Sequence, residues 1–244
     1  MDAVEGSAAE LVESMKVALI ADIHANLPAL TAVLNDMPNV DSIVCVGDVV
    51  GYYADPNEVC DLLQQRRIPS IRGNHDAYVL GTLNPHPERV TAYRTEWTRQ
   101  VLAPENTTWL QSLPASLEFR WDKLTVRLRH ATPWDEEGYL YPDSPKLNEI
   151  QLGAKEFLVL GHTHRPMLRR CGEAFVLNPG SVGQPRDYNP MASYAILDCG
   201  SGNVDFRRVA YDVAGLQRRL RELGWDAATI AILSRTDAPA KASG

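Results

Sequence analysis

Five of the six histidines in this 244-residue chain share one setting. Each comes directly after a short apolar run, within a polar stretch; the five are His24, His75, His130, His162 and His164. Only His86, in NPHPE, lacks such a run. A single histidine of this kind is most often a hydrogen-bonded residue of the core or surface. Five in the same setting indicate a shared chemical task, and imidazole is the commonest protein ligand for metals.

Oxygen donors accompany these histidines. Asp22 precedes His24 by two residues, Asp48 ends the next apolar run, and Asn74 stands directly before His75. Imidazole combined with carboxylate and amide oxygens suits Mn²⁺, Fe²⁺, Zn²⁺ or Ni²⁺ better than Mg²⁺ or Ca²⁺. The donors are too many for one tetrahedral zinc. Two metal ions that share a carboxylate fit the set.

Each oxygen donor also has a purely structural interpretation. An aspartate that follows a strand, as Asp22 and Asp48 do, is a common helix N-cap, and for either residue alone that interpretation is the better one. Asn74 could be a turn residue that tolerates left-handed backbone, and Gly73 a glycine that allows the turn. The metal hypothesis therefore depends on the whole set rather than on one residue.

The apolar runs predict strands that alternate with helices in the first third of the chain. Short runs at 16–21, 41–46 and 69–72 are typical of buried strands. Proline-led segments at 28–37 and 56–66 are typical of helices. This alternation predicts an α/β fold with a parallel sheet, and such sheets bind ligands at the carboxyl ends of their strands.

The rest of the chain predicts a helical segment followed by further strands. Residues 84–113 look helical, whereas 116–121 and 124–130 alternate apolar and polar residues as half-buried antiparallel strands do. A short helix is expected near 144–152 and an amphipathic helix at 213–223. The remaining strands are predicted in FLVLG, PMLRRC, AFVLN, ASYAILD and NVDFRRV.

Composition and charge narrow the class of protein. With 45% hydrophobic and 23% charged residues, the chain has the composition of a folded globular protein. Its net charge of −7 argues against partners such as long nucleic acid or an anionic membrane. Four cysteines without a CxxC pair indicate buried thiols in a reducing compartment. Because the N-terminus lacks the pattern of a secretory signal, a cytoplasmic location is expected.

One domain is expected, because the chain has neither an internal repeat nor a clear linker. It is predicted to span residues 16–233. Residues 1–15 are expected to be a flexible extension, and residues 234–244 a disordered tail with nothing to bury. A homo-oligomer is compatible with the sequence.

The polar motifs resemble those of the calcineurin-like metallophosphoesterase superfamily, in particular its small bacterial and archaeal phosphodiesterase branch. In the family's order they are D-x-H (Asp22, His24), G-D (Gly47, Asp48), G-N-H-D (Gly73 to Asp76), a lone histidine (His130) and G-H-T-H (Gly161 to His164). The later stretch NPGSVGQPRD, residues 178–187, is also similar. One motif alone is weak, but five in order are highly specific. The resemblance implies a four-layer αββα sandwich of two mixed β-sheets flanked by helices.

The resemblance also implies a binuclear metal centre. The ligands of one ion would be Asp22, His24 and His164, those of the other Asn74, His130 and His162, and Asp48 would bridge both. Manganese is the expected metal, with iron, zinc, nickel and cobalt as alternatives.

The implied reaction is attack on phosphorus by a hydroxide held between the two ions, which also neutralise the phosphoryl oxygens. His75 would bind no metal; it would protonate or hydrogen-bond the departing oxygen. Asp76 or a backbone carbonyl would position His75. Ala131 and Ala25 stand where relatives often have glycine, and a small effect is expected of Ala131 because the neighbouring ligand is kept.

The substrate is less constrained. The loop after His130 carries Trp134 and Tyr139, together with Tyr141; these rings could stack on a nucleobase or aryl group, or pack the loop onto the sheet. The sequence favours neither. Arg186, like Arg165, is a candidate for holding a second phosphate, although solvated surface arginines are the commoner case.

The expected function is therefore a phosphodiesterase that acts on small or nucleotide-like phosphodiesters. A dinucleoside polyphosphate hydrolase or a phosphomonoesterase with the same site is the alternative enzyme. A protein-binding scaffold with a decayed metal site is the alternative from another class. The complete ligand set, with His75 present, argues against the scaffold.

Overall fold

A computed structural model describes residues 14–237 of the chain. The strands in this range are β1 (Lys16–Ile20), β2 (Ser42–Cys45), β3 (Ser116–Trp121), β4 (Leu124–Arg129), β5 (Glu156–Val159), β6 (Met167–Cys171), β7 (Ala174–Asn178), β8 (Ala192–Asp198) and β9 (Val204–Val209). They form a four-stranded sheet in the order β2-β1-β8-β9 and a five-stranded sheet in the order β3-β4-β5-β7-β6.

Both sheets are mixed. In the first, β1 pairs in parallel with β2 and antiparallel with β8. In the second, β4, β5 and β7 run parallel, while the edge strands β3 and β6 are antiparallel to their neighbours. The parallel pairing predicted from the early strand-helix alternation is thus right for β1 and β2, which α1 connects, but it does not extend across the whole sheet.

Six of the helices in the described range precede β3, and two follow β9. They are α1 (Leu27–Asp36), α2 (Pro56–Gln65), α3 (Asn74–Leu80), α4 (Val90–Tyr93), α5 (Thr95–Val101), α6 (Pro104–Ser112), α7 (Val213–Glu222) and α8 (Ala227–Ile232). Two short 3₁₀-helices occupy Pro87–Arg89 and Pro145–Glu149.

The two sheets pack face to face around an apolar core. Val17 and Leu19 of β1 belong to the same buried cluster as Val126 and Leu128 of β4. Phe157 of β5 lies in this cluster with 1% of its surface exposed. Alternate residues of each strand supply this layer, as the two-residue period of a strand requires.

The outer faces of the sheets are covered differently. Leu30 of α1 and Leu63 of α2 pack with Ile20 and Tyr194 on the first sheet. On the second sheet, the loop around Pro145–Glu149 supplies the covering side chains. The result is the four-layer arrangement of two mixed sheets with flanking helical segments, so the implied fold class is confirmed.

Some predicted elements are shorter or interrupted. Residues 69–72 form only an isolated parallel bridge, between Ser70 and Cys45, instead of a strand. The helical segment predicted at 84–113 is broken because Arg94 has a φ of 56° and Pro104 begins a new helix. The predicted helix at 144–152 is a single 3₁₀-helix.

The predicted domain boundaries at 16 and 233 remain predictions. The extension expected at 1–15 and the tail expected at 234–244 fall largely outside the described residues. Between residues 14 and 237, no helix is both long enough and apolar enough to cross a membrane.

Phe157→Ala is expected to lower the free energy of unfolding by about 3–5 kcal/mol, because it leaves a cavity between the sheets. Phe206→Ala is the matched control, because that ring on β9 is 37% exposed. We expect the control to lose about 1 kcal/mol or less. Urea denaturation of both variants measures the difference, and equal losses would contradict the placement of Phe157 in the core.

Candidate metal centre

The loops that follow β1, β2, β4 and β5 bring the predicted metal ligands together. Asp22, His24, Asp48 and His164 form one group, and Asp48, His130 and His162 form a second. Within each group the donor atoms lie within 4.8 Å of one another. Asp48 belongs to both groups. This grouping matches the division that the resemblance implies, while the role of each residue as a ligand stays a prediction.

The first group converges on a common point. Nε2 of His24 lies 3.0 Å from Nε2 of His164. Oδ2 of Asp48 lies 3.6 Å from Nε2 of His24, and Oδ1 of Asp22 lies 3.7 Å from Nε2 of His164. Two imidazoles and two carboxylates therefore face one small space.

Asn74 joins the second group through its amide oxygen. Oδ1 of Asn74 lies 3.1 Å from Nε2 of His130 and 2.8 Å from Nδ1 of His162. Nε2 of His130 lies 3.2 Å from Oδ2 of Asp48. The structure thus places all seven predicted ligands next to one another.

Each of the four histidines has one ring nitrogen beside a backbone carbonyl oxygen. The pairs are His24 Nδ1 with Val50 (3.2 Å), His130 Nδ1 with Val46 (2.7 Å), His164 Nδ1 with Gln184 (2.6 Å) and His162 Nε2 with Glu137 (3.2 Å). A carbonyl oxygen can only accept, so these nitrogens carry the hydrogen. In a neutral ring, the other nitrogen then directs a lone pair at its group.

These lone pairs converge with no hydrogen between them. Neutral His24 and His164 both carry their hydrogen on Nδ1, so their Nε2 atoms, 3.0 Å apart, repel each other. Nδ1 of His162 likewise faces the acceptor oxygen of Asn74 at 2.8 Å. A cation between such atoms replaces repulsion with attraction, and a backbone partner on the far nitrogen is typical of metal-binding histidine.

Two carboxylate oxygens strengthen the case for a cation. Oδ2 of Asp22 and Oδ2 of Asp48 are buried, and no described residue makes a well-formed hydrogen bond to either. Burial raises the pKa of Asp22 to about 7. Burial also acts to raise the pKa of Asp48, but the positive charge of the neighbouring His130 outweighs it and holds that pKa well below its usual value. The residues present therefore fit divalent metal ions.

Burial has the opposite effect on the imidazoles. It lowers the pKa of His24 to about 4 and that of His162 to about 3, which keeps both rings neutral, as ligation requires. Burial acts on His130 in the same direction, but Asp48 and Asp22 outweigh it and raise the pKa of His130 to about 10. The two carboxylates thus attract positive charge strongly to the second group.

Five of the seven residues have left-handed backbone, which residues other than glycine rarely adopt. The φ angle is 53° at Asp22 and His24, 54° at Asp48, 66° at His162 and 56° at His164. Such conformations cost about 1–3 kcal/mol each and persist only where the surroundings enforce them. Strain concentrated on the donor residues favours a functional role for them.

His75 lies beside the two groups and belongs to neither. Its ring stacks on Tyr52 with centroids 4.7 Å apart and meets Tyr93 and Tyr78 edge-on at 4.4 and 5.4 Å. Its backbone N–H donates to Oδ1 of Asp48 at 2.8 Å, but no described residue hydrogen-bonds to the ring. Burial lowers the pKa of His75 well below its usual value, so the ring is neutral at neutral pH.

Asp76 caps α3 and does not contact the ring of His75. Its Oδ2 accepts from the backbone N–H of Gly73 at 2.9 Å, and its Oδ1 from that of Val50 at 3.0 Å. Both oxygens are therefore occupied by backbone donors. Asp76 thus fixes the loop after β2 to the start of α3 as a cap, while its expected part in positioning His75 stays a prediction.

GNHD is also not the turn that its sequence suggests. Asn74 begins α3, and Gly73 has an extended backbone with φ −97° and ψ 179°. Glycine is needed because a Cβ at this position would overlap the carboxylate and backbone of Asp48. Gly73 is therefore required because two chain segments approach closely there, and not because its backbone is left-handed.

Arg186 lies at the candidate site rather than on the solvated surface. Its half-buried guanidinium borders the cleft above the two groups. Nη2 lies 3.0 Å from the hydroxyl oxygen of Tyr52 and 3.0 Å from Oε1 of Gln184. Its place in the stretch NPGSVGQPRD, which is similar to the family, is the sequence feature that indicates a role at the site. His86, for which the sequence indicates no role, also lines this cleft.

The aromatic loop after β4 does not pack its rings onto the sheet. Trp134, Tyr139 and Tyr141 are 48%, 46% and 37% exposed. Tyr139 lies 4.2 Å from the ring of His162 and stacks on Tyr141 at 5.9 Å. Tyr139 also lines the cleft above the two groups, and stacking of its ring on a substrate stays a prediction.

The chain matches a family model described as the calcineurin-like phosphoesterase superfamily domain, over residues 15–205. It is 37% identical over 223 residues to an uncharacterized protein of Methanocaldococcus jannaschii, covering 83% of this chain and 90% of that protein. It is 32% identical over 199 residues to phosphodiesterase YfcE of Escherichia coli, covering 75% of this chain and 88% of that protein.

Solved structures agree with this assignment. The crystal structure of a metallophosphoesterase from Sphaerobacter thermophilus superposes with a TM-score of 0.77 and 32% sequence identity, covering 92% of this chain and 100% of that one.

Mn²⁺ is expected to raise the melting temperature of the protein, because the ion neutralises the buried carboxylates. At a free concentration of about 100 times its Kd, an ion bound only by the folded state adds roughly 2.7 kcal/mol per site. Asp48→Asn keeps the shape of a residue shared by both groups but removes its charge, so the Mn²⁺-dependent rise should be largely lost. Thermal melts with and without Mn²⁺ measure this.

Asp212→Asn is the matched control for this substitution. Asp212 is the N-cap of α7, outside both groups, and asparagine caps helices equally well. Its Mn²⁺-dependent rise should equal that of the wild type. If Mn²⁺ raised the melting temperature of Asp48→Asn as much as that of the wild type, Asp48 would not be a ligand.

Proposed function

The chain belongs to the calcineurin-like phosphoesterase superfamily and is a metal-dependent phosphoester hydrolase, and we propose that it is a binuclear phosphodiesterase acting on small or nucleotide-like diesters. The observation that carries the proposal is the convergence of imidazole lone pairs and unpartnered carboxylate oxygens on two adjoining points that share Asp48. A single-metal site would need only one of these groups.

The ligand roles proposed for the residues follow the two groups. Asp22, His24 and His164 would hold one ion, Asn74, His130 and His162 the other, and Asp48 both. Nitrogen donors combined with oxygen donors make manganese our choice, ahead of iron, zinc, nickel and cobalt. When bound, the ions supply Lewis acidity that activates water and neutralises phosphoryl oxygens.

The proposed task of His75 is hydrogen bonding to the leaving-group oxygen. The ring is neutral and has no hydrogen-bond partner among residues 14–237, so its N–H is free to donate. The tyrosines around it fix its plane beside the cleft. Donation of a hydrogen bond by the neutral ring agrees better with its lowered pKa than complete proton transfer does.

The preference for diesters is supported by the likeness to phosphodiesterase YfcE and by the exposed ring of Tyr139 beside His162. A nucleobase or aryl ring on the second ester would stack on that ring. The complete donor set argues against a scaffold without catalysis. We place the protein in the cytoplasm, in keeping with its free thiols.

A substrate panel tests the proposal. With Mn²⁺, we expect kcat/KM for bis(p-nitrophenyl) phosphate to exceed that for p-nitrophenyl phosphate at least several-fold, and Asp48→Asn to abolish both activities. A reversed preference would assign the site to monoesters. A metal-loaded protein inert toward diesters, monoesters and nucleotides would overturn the hydrolase assignment.

His75→Ala is expected to lower kcat by about 10²–10³, the range typical of losing one hydrogen-bond donor to a developing oxyanion, while metal content stays unchanged. Asn74→Ala, one residue away, is the contrasting variant, because it removes a ligand and should lose metal and activity together. Metal analysis alongside initial rates distinguishes the two. Metal loss in His75→Ala would make His75 a ligand.

A further inference from the structure

A second cleft adjoins the one above the metal centre. It has a volume of about 340 Å³ and extends toward α8. Tyr93, Tyr139 and Arg186 line both clefts, so the two are direct neighbours. Arg89 and Arg235 line the second cleft, which therefore has an arginine from three separate parts of the chain.

Among the residues that the structure describes, these three arginines have no carboxylate partner. None of them forms an ion pair within residues 14–237, whereas Arg208 pairs with Asp187 and Arg219 with Asp55. The side-chain hydrogen bonds of Arg186 go to Tyr52 and Gln184, which are both neutral. In a chain of net charge −7, three unpaired arginines around one cleft indicate a surface for an anion.

One nitrogen of an arginine that lines the cleft has no acceptor within residues 14–237. Nε of Arg235 is buried, and no described residue accepts a hydrogen bond from it. Asp226 also lines the cleft, but its oxygens accept from the backbone N–H and the hydroxyl of Thr229, at 2.8 and 2.6 Å. The one acidic side chain among the residues that line this cleft is thus occupied in capping α8.

Aromatic rings hold two of these guanidinium groups in place. Arg235 lies 4.9 Å from the centroid of Tyr188, and Arg186 lies 5.9 Å from that of Tyr52. The contact with Tyr188 restrains the guanidinium of Arg235, and Arg186 is held by hydrogen bonds from its Nε and Nη2 to Gln184 and from Nη2 to Tyr52. Restrained guanidinium groups can form directed hydrogen bonds to an oxyanion, so the cleft offers more than unspecific positive charge.

We propose that this cleft is a subsite for a second phosphate group of the substrate, one that is not cleaved. The inference rests on the proposed function, because the scissile phosphate would occupy the metal centre. It narrows the substrate class to esters that carry further phosphates, such as nucleoside polyphosphates. Arg186 contacts the chain of phosphates where the two clefts join, and Arg235 and Arg89 bind it farther from the metals.

Arg235→Gln tests the subsite in the Mn²⁺-loaded, full-length protein. The measured quantity is kcat/KM for diadenosine tetraphosphate divided by kcat/KM for bis(p-nitrophenyl) phosphate, which has one phosphate. We expect this ratio to fall about tenfold through KM, the loss typical of one charge-assisted hydrogen bond. Arg89→Gln should lower the ratio in the same direction and guards against misfolding of the first variant.

Arg218→Gln is the matched control, because Arg218 is an exposed residue of α7 that does not line the cleft. Its ratio should equal that of the wild type. An unchanged ratio in both Arg235→Gln and Arg89→Gln, or a wild type that hydrolyses the aryl diester but not the tetraphosphate, would overturn the subsite.

Calorimetric titration with ADP separates the subsite from the proposed function, because binding needs no turnover. The Mn²⁺-loaded wild type and Arg218→Gln should bind ADP about tenfold more tightly than Arg235→Gln. If Arg235→Gln bound ADP this much more weakly but the wild type hydrolysed no ester, the subsite would be supported and the phosphodiesterase proposal rejected. Equal ADP affinity in all three proteins would reject the subsite and leave the phosphodiesterase standing.

Discussion

The burial of two carboxylates side by side is the constraint on which the rest of this structure depends. Asp22 is fully buried and Asp48 is 1% exposed. Charges in such surroundings are strongly unfavourable unless they are paired. The histidines around them do not relieve this in their neutral form, because each gives its one hydrogen to a backbone carbonyl. The interior is therefore organised around positive charge that has to be taken up from solution.

The two sheets supply the rigidity that such a centre requires. Buried strands lead directly into the donor residues. β1 is paired on both sides, with β2 and β8, and the loop after β1 is hydrogen-bonded to the loop after β2, His24 N–H to the carbonyl of Asp48 at 3.0 Å. Left-handed backbone at residues such as Asp22 and His164 then persists because the packed elements that flank each loop hold it in place. Stability is thereby given up locally for accurate placement of donor atoms, as is common at functional sites.

The strands and the donor set were largely predictable from the sequence, and the contacts between loops were not. Asp22 and His162 are recognisable because apolar runs precede them, and strand ends are where such folds collect polar groups. Arg186 and Tyr139 belong to loops whose positions depend on long-range packing, so neither spacing nor residue type places them at the cleft. Asp76 shows the limit within a motif: its partners are backbone donors at Gly73 and Val50.

Asp48 makes the centre indivisible. The donors before it come from the loops of the first sheet, those after it from α3 and the loops of the second, and this one carboxylate completes both groups. Neither half of the chain can assemble an intact site alone, so high-affinity metal uptake has to follow the docking of the two sheets. Once bound, the ions would link the two sheets and stabilise their packing. The metal content of a sample would then indicate what fraction of the protein has its complete tertiary fold.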